Sequence, residues 1–229
     1  MKGIEVRILH HNFNGMPKFL AQLTQRGSEI TCMNDLMSLY NNVINTKPSK
    51  YLLSLPHTTI KRMCYMTVAI VGLSTKAVSQ LRTHATRLTF ISTSTQYSQY
   101  DKRKNNFVIP HDKIRAFNKA YKNIQIEYNN MIDNGIDRDT ASYLLPQGLR
   151  KTLIISGNLD AWQYVLSTRM CKRNTKEVQH ICKLIYKEIA RICGKEFCVN
   201  MEPSCFNSHC KEGKFCCGKP FTEEDLHEN

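Results

Sequence analysis

Four polar side chains between Lys76 and Arg87 have the spacing of one helix face. Lys76, Gln80, His84 and Arg87 follow one another at intervals of three or four residues. Residues at that spacing lie on the same side of an α-helix. The stripe would carry an amide, an imidazole and two cations, which can hydrogen-bond a polar or anionic ligand. Taken singly, each side chain also fits an exposed amide, a packed or surface histidine, or a solvated cation.

A hydroxyl-rich segment follows from Thr89 to Tyr100 and has no helical period. Hydroxyl and backbone N–H groups in such a segment can bind a phosphate group. An exposed polar loop is the alternative interpretation. The hydroxyl groups available are those of Ser92, Thr93, Ser94, Thr95 and Ser98.

Farther along the chain, Asn158 and Arg169 carry hydrogen-bonding groups at the two ends of a predicted helix. Arg169 lies on a largely apolar helix, where its charge needs a partner. A ligand carbonyl or a phosphate would serve, since a guanidinium offers paired planar donors; a structural salt bridge is the alternative. Asn158 follows Gly157, so it can cap the same helix, contact a ligand, or do both.

The last part of the chain is rich in cysteine. Of ten cysteines, six fall between Cys193 and Cys217. In a cytosolic protein such a cluster favours metal binding over disulfides. Reduced thiols without a metal are the alternative. The candidate ligands for a closed, structural zinc site are Cys198, Cys205, Cys210 and Cys216.

The elements that must position these residues follow from the hydrophobic pattern. Strands are expected at residues 3–10, 65–73 and 149–156. Helices are expected at residues 34–44, at 75–88 after a Ser74 cap, and from 112 to a left-handed Gly135. Further helices are expected after Asp137, at residues 158–169, and from Asn174 to 194, where Asn174 and Glu177 have capping-box spacing. The result is an α+β class with a mixed sheet and long helices, divided into a catalytic domain 1–197 and a Cys-rich tail 198–229.

Composition narrows the classes of partner. The 229 residues can form one large domain or two small ones. The formal net charge of +13 favours anionic partners such as nucleotides or nucleic acid.

No apolar run reaches the roughly 18 residues that a membrane span needs. No signal-peptide core follows the N-terminus, so a cytoplasmic location is expected. A Gly-rich phosphate loop of the Rossmann or Walker type is not found.

These motifs together resemble the flavin-dependent thymidylate synthases. Gln80, Leu81 and His84 fall on that family's Gln, Leu and His, and the segment from Ser92 to Tyr100 resembles its serine-rich motif. Thr83 and Ala85 replace two motif arginines, several residues are inserted before Ser92, and either Ser98 or Tyr97 matches the second motif serine. A downstream block keeps the family's order and spacing at Gly135, Ile136, Ala141, Leu145, Pro146, Asn158, Arg169 and Glu177. The Glu202–Cys205 segment with Cys210, Glu212, Gly213 and Cys216 resembles the ending of some members.

The resemblance implies the fold of the flavin-dependent thymidylate synthases and the activity of an FAD-dependent methyltransferase. Such an enzyme converts dUMP to dTMP with methylenetetrahydrofolate as carbon donor and NADPH as reductant, and it orients planar ligands rather than attacking the uracil ring with a nucleophile. It also implies a homotetramer. By this resemblance, Arg169 and Ser98 are expected to be catalytic. The residues expected to contact the flavin are Gln80, His84, Arg87 and Asn158. The implied substrate contacts are Gln80, Ser92, Ser94, Thr95, Gln96, Ser98, Tyr100 and Arg169.

Two departures keep other functions open. Ser142 stands at the family's substrate-phosphate arginine, and Asp160 stands at a flavin-contacting arginine. Arg138, Arg150 or Lys151 could compensate. Otherwise the same fold would act on another pyrimidine nucleotide or hydroxymethylate it. An alternative of another class is a basic, zinc-containing nucleic-acid-binding protein, and a further one is an inactive family member. His57 lies near a folate-side histidine of the family, but its spacing to Gly72 does not match.

Overall fold

The computed structural model describes residues 3–46, 50–55, 58–101, 106–109, 114–206 and 209–227; His57 lies outside them. The chain divides into two compact units. The first unit comprises Met1–Glu5, Ile70–Thr83 and Phe90–Ile154, and the second comprises Val6–Ala69, His84–Thr89 and Ile155–Asn229. The division into a catalytic domain 1–197 and a tail 198–229 stays a prediction.

Four strands form one antiparallel sheet in the order β1-β2-β4-β3. Their bounds are β1 Glu5–His11, β2 Tyr65–Ser74, β3 Leu88–Ser92 and β4 Arg150–Asn158. Three of them confirm the strands expected from the sequence. Strand β3 was not predicted, although its burial alternates, with Leu88 buried and Thr89 exposed, as one-sided packing requires. The α+β class is confirmed, but the sheet is antiparallel, whereas a mixed sheet was expected.

Helices make up most of the remaining described chain. Their bounds are α1 Met16–Gln25, α2 Met33–Val43, α3 Lys50–Ser54, α4 Thr58–Met63, α5 Thr75–Arg82, α6 Ile114–Asp133, α7 Arg138–Ala141, α8 Leu159–Arg169, α9 Lys176–Cys193 and α10 Glu223–His227. Across the described ranges, none of these helices combines the length and apolarity that crossing a membrane would require.

The helix after β2 is shorter than expected. Ser74 caps it as predicted, because its Oγ accepts from the amide of Ala77 at 3.0 Å. The prediction that the helix continues to Leu88 was wrong, since α5 ends at Arg82 and a turn follows. The Thr83 hydroxyl donates to the Gln80 carbonyl at 2.8 Å, satisfying a terminal carbonyl. Leu88 then joins the sheet, so His84 and Arg87 lie in a turn and not on a helical stripe.

Helix α6 gives the first unit its amphipathic layer. Tyr128 is fully buried on this helix, and with Tyr100, Ala141 and Leu149 it forms a small core cluster. The predicted left-handed residue after the helix is confirmed, because Gly135 has φ +84°. The amide of the following residue, Ile136, donates to the carbonyl of Met131, which closes the helix end.

Helices α8 and α9 carry much of the core of the second unit. Trp162 is buried, and its indole N–H donates to the Met66 carbonyl at 3.3 Å. One of the two capping predictions is confirmed, because Asn158 caps α8. The other was wrong, because Thr175, not Asn174, precedes α9. The Asn174 side chain is instead taken up by Arg169 and by backbone carbonyls. Helix α2 begins at Met33 after a Cys32 cap, one residue before the helix start expected at residue 34.

Candidate functional site

The turn from His84 to Arg87 is tied to its surroundings in the second unit. The amides of Arg87 and Leu88 both donate to the His84 carbonyl, at 2.9 and 3.0 Å. Gly157 lets the chain approach closely, because a Cβ atom at that position would overlap Leu88 Cδ2. The glycine therefore allows β4 and the start of β3 to hold this turn in place.

His84 and Arg169 meet directly. Arg169 Nε donates to His84 Nε2 at 2.8 Å, and one terminal nitrogen donates to Asn174 Oδ1 at 2.8 Å. Asn174 is oriented in turn, since its amide nitrogen donates to the Thr168 carbonyl at 2.8 Å. Arg169 is the last residue of α8. Its guanidinium group is held between the turn that carries His84 and the side chain of Asn174, two residues before α9.

This contact defines the protonation state of His84. An imidazole nitrogen that accepts a hydrogen bond carries no proton, so the neutral ring has its proton on Nδ1. Burial, followed by the positive charges of Arg169 and Arg87, lowers the pKa of His84. The geometry and the electrostatics therefore agree on a neutral acceptor for Arg169.

Tyr164 joins the two arginine-bearing segments. The Arg87 guanidinium lies over its ring, 4.2 Å from the ring centre, a cation–π arrangement. The His84 ring meets the Tyr164 ring edge-on at 5.8 Å. Tyr164 is 45% exposed although most of its neighbours on α8 are buried. We call His84, Arg87, Tyr164, Arg169 and Asn174 the Arg169 cluster.

The Arg169 cluster brings together three of the predicted ligand contacts and adds two. Its two guanidinium groups, neutral imidazole and exposed aromatic ring suit a planar ligand that also carries negative charge. The sequence reasoning missed Tyr164 and Asn174. An exposed aromatic residue within a mostly buried helix could have indicated Tyr164, but no local signal distinguishes Asn174 from a helix cap.

Asn158 and Asp160 lie at the start of α8. Asn158 Oδ1 accepts from the Ala161 amide at 2.9 Å, which confirms the cap; its flavin contact stays a prediction. The Asp160 carboxylate lies 3.5 Å from Arg62 Nε, and Lys61 also senses its charge. The cations beside Asp160 therefore come from α4. The sequence had instead suggested Arg138, Arg150 or Lys151 as compensating cations.

The first unit contains the predicted serine loop, residues 92–100. Ser94 Oγ accepts from the amides of Gln96 and Tyr97, at 3.0 and 3.4 Å, which builds a hydroxyl-closed turn. Ser92 Oγ accepts from an Arg82 guanidinium nitrogen at 2.9 Å. The loop thus has local order, and its backbone runs next to a cationic side chain.

The remaining predicted residues of this unit have mixed environments. Gln80, on α5, and Thr95 and Ser98, in the serine loop, are half-buried, whereas Gln96 is exposed. Tyr100 is only 1% exposed, and its hydroxyl receives a hydrogen bond from Lys151 Nζ at 3.3 Å. Tyr100 therefore anchors the loop in the core. The ligand contacts of all these residues stay predictions.

One cation close to Ser142 in the chain has a buried donor without a partner among the described residues. Ser142 Oγ donates to the Asp139 carbonyl at 2.7 Å, within its own turn. Arg150 is engaged by the carbonyls of Phe107 and Gly3, and Lys151 by that of Thr93. Arg138 Nε, by contrast, is buried and has no hydrogen-bond partner among the described residues. Of the three compensating cations considered, Arg138 is the one with a buried donor that lacks a partner among the described residues.

The tail cysteines all carry free thiols. Cys198 is buried, and its thiol donates to the Tyr186 carbonyl at 3.7 Å. Cys205 and Cys210 are partly exposed, and Cys216 is exposed. In the part of the chain that the structure describes, no group of three or more His, Cys, Asp or Glu side chains is already gathered around a metal position.

Comparison with known sequences identifies relatives of one kind. The family model described as "Thymidylate synthase complementing protein" matches residues 18–194. A flavin-dependent thymidylate synthase of Pyrococcus furiosus is 25% identical over 148 residues, which is 61% of this chain and 60% of that protein. One of Geobacter sulfurreducens is 23% identical over 181 residues, covering 73% and 74% of the two chains. The match to the Pyrococcus protein therefore leaves much of that relative's length uncovered.

Comparison with solved structures shows the same fold. The Helicobacter pylori thymidylate synthase ThyX, solved with FAD and dUMP, superposes with a TM-score of 0.64 at 17% identity, covering 87% of this chain and 99% of that one. The Streptomyces cacaoi UMP/dUMP methylase PolB, bound to 5-Br dUMP, gives 0.64 at 18% identity, covering 86% and 94%. At these identities the likeness shows the architecture alone.

Proposed function

This chain belongs to the thymidylate synthase complementing protein family, whose model matches it over residues 18–194, and from that premise we propose that it is a flavin-dependent thymidylate synthase. It would transfer the one-carbon unit of methylenetetrahydrofolate to carbon 5 of dUMP and would use NADPH as the reductant. The observation that carries this proposal is the Arg169 cluster, in which residues implied by the family resemblance meet in one place.

The Arg169 cluster fits a flavin or a nucleotide by its donor set. When bound, FAD would supply the hydride that reduces the transferred carbon. Arg87, held over Tyr164, offers a cation for a phosphate or a ring carbonyl. Tyr164 offers an exposed aromatic face for stacking. Arg62 and Lys61, beside Asp160, supply positive charge where the family has an arginine.

Arg169 would polarise the pyrimidine. Its guanidinium is oriented by His84 and Asn174 before any ligand arrives, so little is lost on binding. A fixed planar donor beside a pyrimidine carbonyl would withdraw electron density from the ring. Since the proposed reaction needs no protein nucleophile on the ring, positioning and polarisation are the contributions that these residues make.

In the first unit, considered by itself, the serine loop and Arg138 offer donors for a phosphate group. The loop offers hydroxyl groups at Ser92 and Ser98 and a local turn at Ser94. The buried Arg138 Nε lacks a partner among the described residues and could replace the family's arginine at position 142. A phosphate there would satisfy a buried donor whose isolation is otherwise costly.

A different pyrimidine nucleotide is the second candidate substrate. The Ser142 hydroxyl group donates to the Asp139 carbonyl within its own turn. The phosphate contact that the family makes with an arginine at this position is therefore altered in this chain. The solved Streptomyces methylase of the same fold is named for both UMP and dUMP. A change of the nucleotide or of the product is therefore compatible with this fold.

Two measurements test the proposal. The purified full-length chain, titrated with FAD, should become yellow and quench flavin fluorescence; a chain that takes up no FAD would overturn the proposal. Tritium release from 5-tritiated dUMP, with methylenetetrahydrofolate and NADPH, should then exceed release from 5-tritiated UMP. Release from UMP alone would favour the second candidate substrate. FAD binding without release from either nucleotide would indicate an inactive relative.

The family resemblance also implies a homotetramer. Light scattering on the purified chain would test that expectation, with a mass of one or two chains as the opposing result. Nucleic-acid binding without FAD uptake would favour the alternative suggested by the net charge of +13.

A further inference from the structure

We infer that the Cys-rich tail binds a structural zinc ion through Cys171, Cys205, Cys210 and Cys216, all of which lie in the second unit. This site is independent of the proposed activity. Three of the four cysteines lie beyond residue 194, where the family match ends. Cys171, in the segment between α8 and α9, is not among the ligands expected from the sequence.

Two of these cysteines open turns whose backbone amides are aimed at their own sulfur atoms. The Gly218 amide donates to Cys216 Sγ at 3.4 Å. The Glu212 backbone hydrogen-bonds the Cys210 sulfur. In both cases the backbone group belongs to the second residue after the cysteine. Glu212 is right-handed helical with φ −77°, and Gly213 after it has φ +52°. This pair of conformations forms a nest of N–H groups of the kind that binds anions and thiolate-ligated metal centres.

The third sulfur atom has a comparable donor. The Phe221 amide donates to Cys205 Sγ at 3.4 Å. The Cys210 thiol also hydrogen-bonds the Cys216 thiol and senses the charge of Cys205. Three neighbouring sulfurs that each receive a backbone N–H therefore already have the kind of outer hydrogen bond that orients metal ligands.

Cys171 supplies the fourth ligand from outside the tail. It lines a cavity of about 740 Å³ together with Cys198, Cys205 and Cys210. The two residues after it dock onto the tail: Lys172 Nζ donates to the Pro220 carbonyl at 3.0 Å, and an Arg173 nitrogen donates to that of Phe215 at 2.7 Å. These contacts hold the Cys171 segment against the turns that carry the other sulfurs.

The structure disfavours the other nearby thiols as ligands. Cys198, expected from the sequence, is 1% exposed and directs its thiol to the Tyr186 carbonyl. The Cys217 thiol donates to the Lys219 carbonyl at 3.5 Å. Cys198 is therefore replaced by Cys171 in the proposed set, and Cys217 becomes a neighbouring control.

The chemistry of the set selects the metal and its role. Four thiolates match the soft, tetrahedral preference of zinc and leave no open coordination position, so the ion would be structural. In the described residues the sulfurs are not gathered around one point, so binding would draw them together. It would thereby fasten the tail to the segment that directly follows Arg169.

Metal analysis of the full-length chain tests this site. Protein purified without chelator should retain a single zinc ion per chain, and chelation followed by cobalt should give the intense spectrum of tetrahedral cobalt thiolate. Cys171→Ser and Cys210→Ser should each weaken zinc binding by more than about tenfold, in a competition with a chromogenic chelator. Cys217→Ser should match the wild type.

Several outcomes would overturn the inference. One is protein that neither retains nor takes up zinc; another is zinc affinity that is the same in Cys171→Ser as in Cys217→Ser. If Cys171→Ser does not fold, the wild-type cobalt spectrum still decides, because the thiolate-to-cobalt band grows with the number of bound sulfurs. A band for two thiolates or fewer would refute the four-cysteine site. FAD uptake is measured separately, so failure here leaves the proposed activity standing.

Discussion

Arg169 Nε donates a hydrogen bond to His84 Nε2 over 2.8 Å, although the two residues are far apart in the chain. The donor is a permanent cation, so the acceptor must be the neutral form of the imidazole. This pair makes the orientation of Arg169 dependent on the protonation state of His84, and the first two predictions follow from it.

The stability of the protein should depend on pH through His84. Burial and the nearby arginines lower the pKa of His84 in the folded chain. Below about pH 6.5 the unfolded chain therefore binds a proton that the folded chain does not, and the free energy of unfolding falls with the pH. His84→Gln, which keeps an acceptor but cannot titrate, should show a shallower fall.

Urea unfolding of both proteins at about pH 8 and about pH 5.5 measures this difference. His11 and His180 also have lowered pKa values, but they are present in both proteins, so the comparison isolates His84. Equal pH dependence in the two proteins would contradict the neutral-acceptor assignment.

Removing the Arg169 side chain should weaken nucleotide binding. A hydrogen bond from a charged donor contributes about 1.5–3 kcal/mol, so Arg169→Ala should bind dUMP roughly ten- to a hundredfold more weakly. Arg169→Lys should recover only part of the affinity, because an ammonium group cannot reproduce the planar donor pair.

Calorimetric titration with dUMP would measure these affinities. Lys176→Ala, which removes an exposed cation near the start of α9, controls for net charge and should bind normally. If the Arg169→Ala and Lys176→Ala proteins bind dUMP equally well, Arg169 does not contact the nucleotide.

The aromatic ring of Tyr164 should matter more than its hydroxyl group. Arg87 lies 4.2 Å from the ring centre, and such a contact contributes about 0.5–1 kcal/mol at an exposed site. Tyr164→Ala should therefore lower FAD affinity by about two- to fivefold or more if stacking is also lost. Tyr164→Phe keeps the ring and should stay near the wild type. Flavin fluorescence titration provides the measurement, and an equal loss in both variants would point to the hydroxyl group instead.

Adding a side chain at Gly157 should lower the stability of the protein. An added Cβ would overlap Leu88 Cδ2 where β4 passes the start of β3, so Gly157→Ala should destabilise the protein by about 1–3 kcal/mol. Gly27, which has open space around it, provides the matched control. Gly27→Ala should change the free energy of unfolding, measured in urea, by much less. Equal stabilities would show that Leu88 can move aside without cost.

Local features of the fold could be predicted because short-range forces decide them. Ser74 and Asp137 both cap the helices that follow them, and Gly135 takes the left-handed conformation expected after a long helix. Each depends on a hydrogen bond or a backbone preference within a few residues. The same local reasoning extended the helix after Ser74 too far, since it could not foresee that Leu88 would pair in a sheet.

The sequence by itself determined the family resemblance, the α+β class and the identity of Asn158, Arg169 and the cysteines as residues of interest. These depend on the order and spacing of residue types along one chain. Only the tertiary structure placed His84 against Arg169, Tyr164 beneath Arg87 and Cys171 beside the tail. Such pairs join residues distant in sequence, and their meeting depends on how the sheet and helices pack rather than on any local pattern.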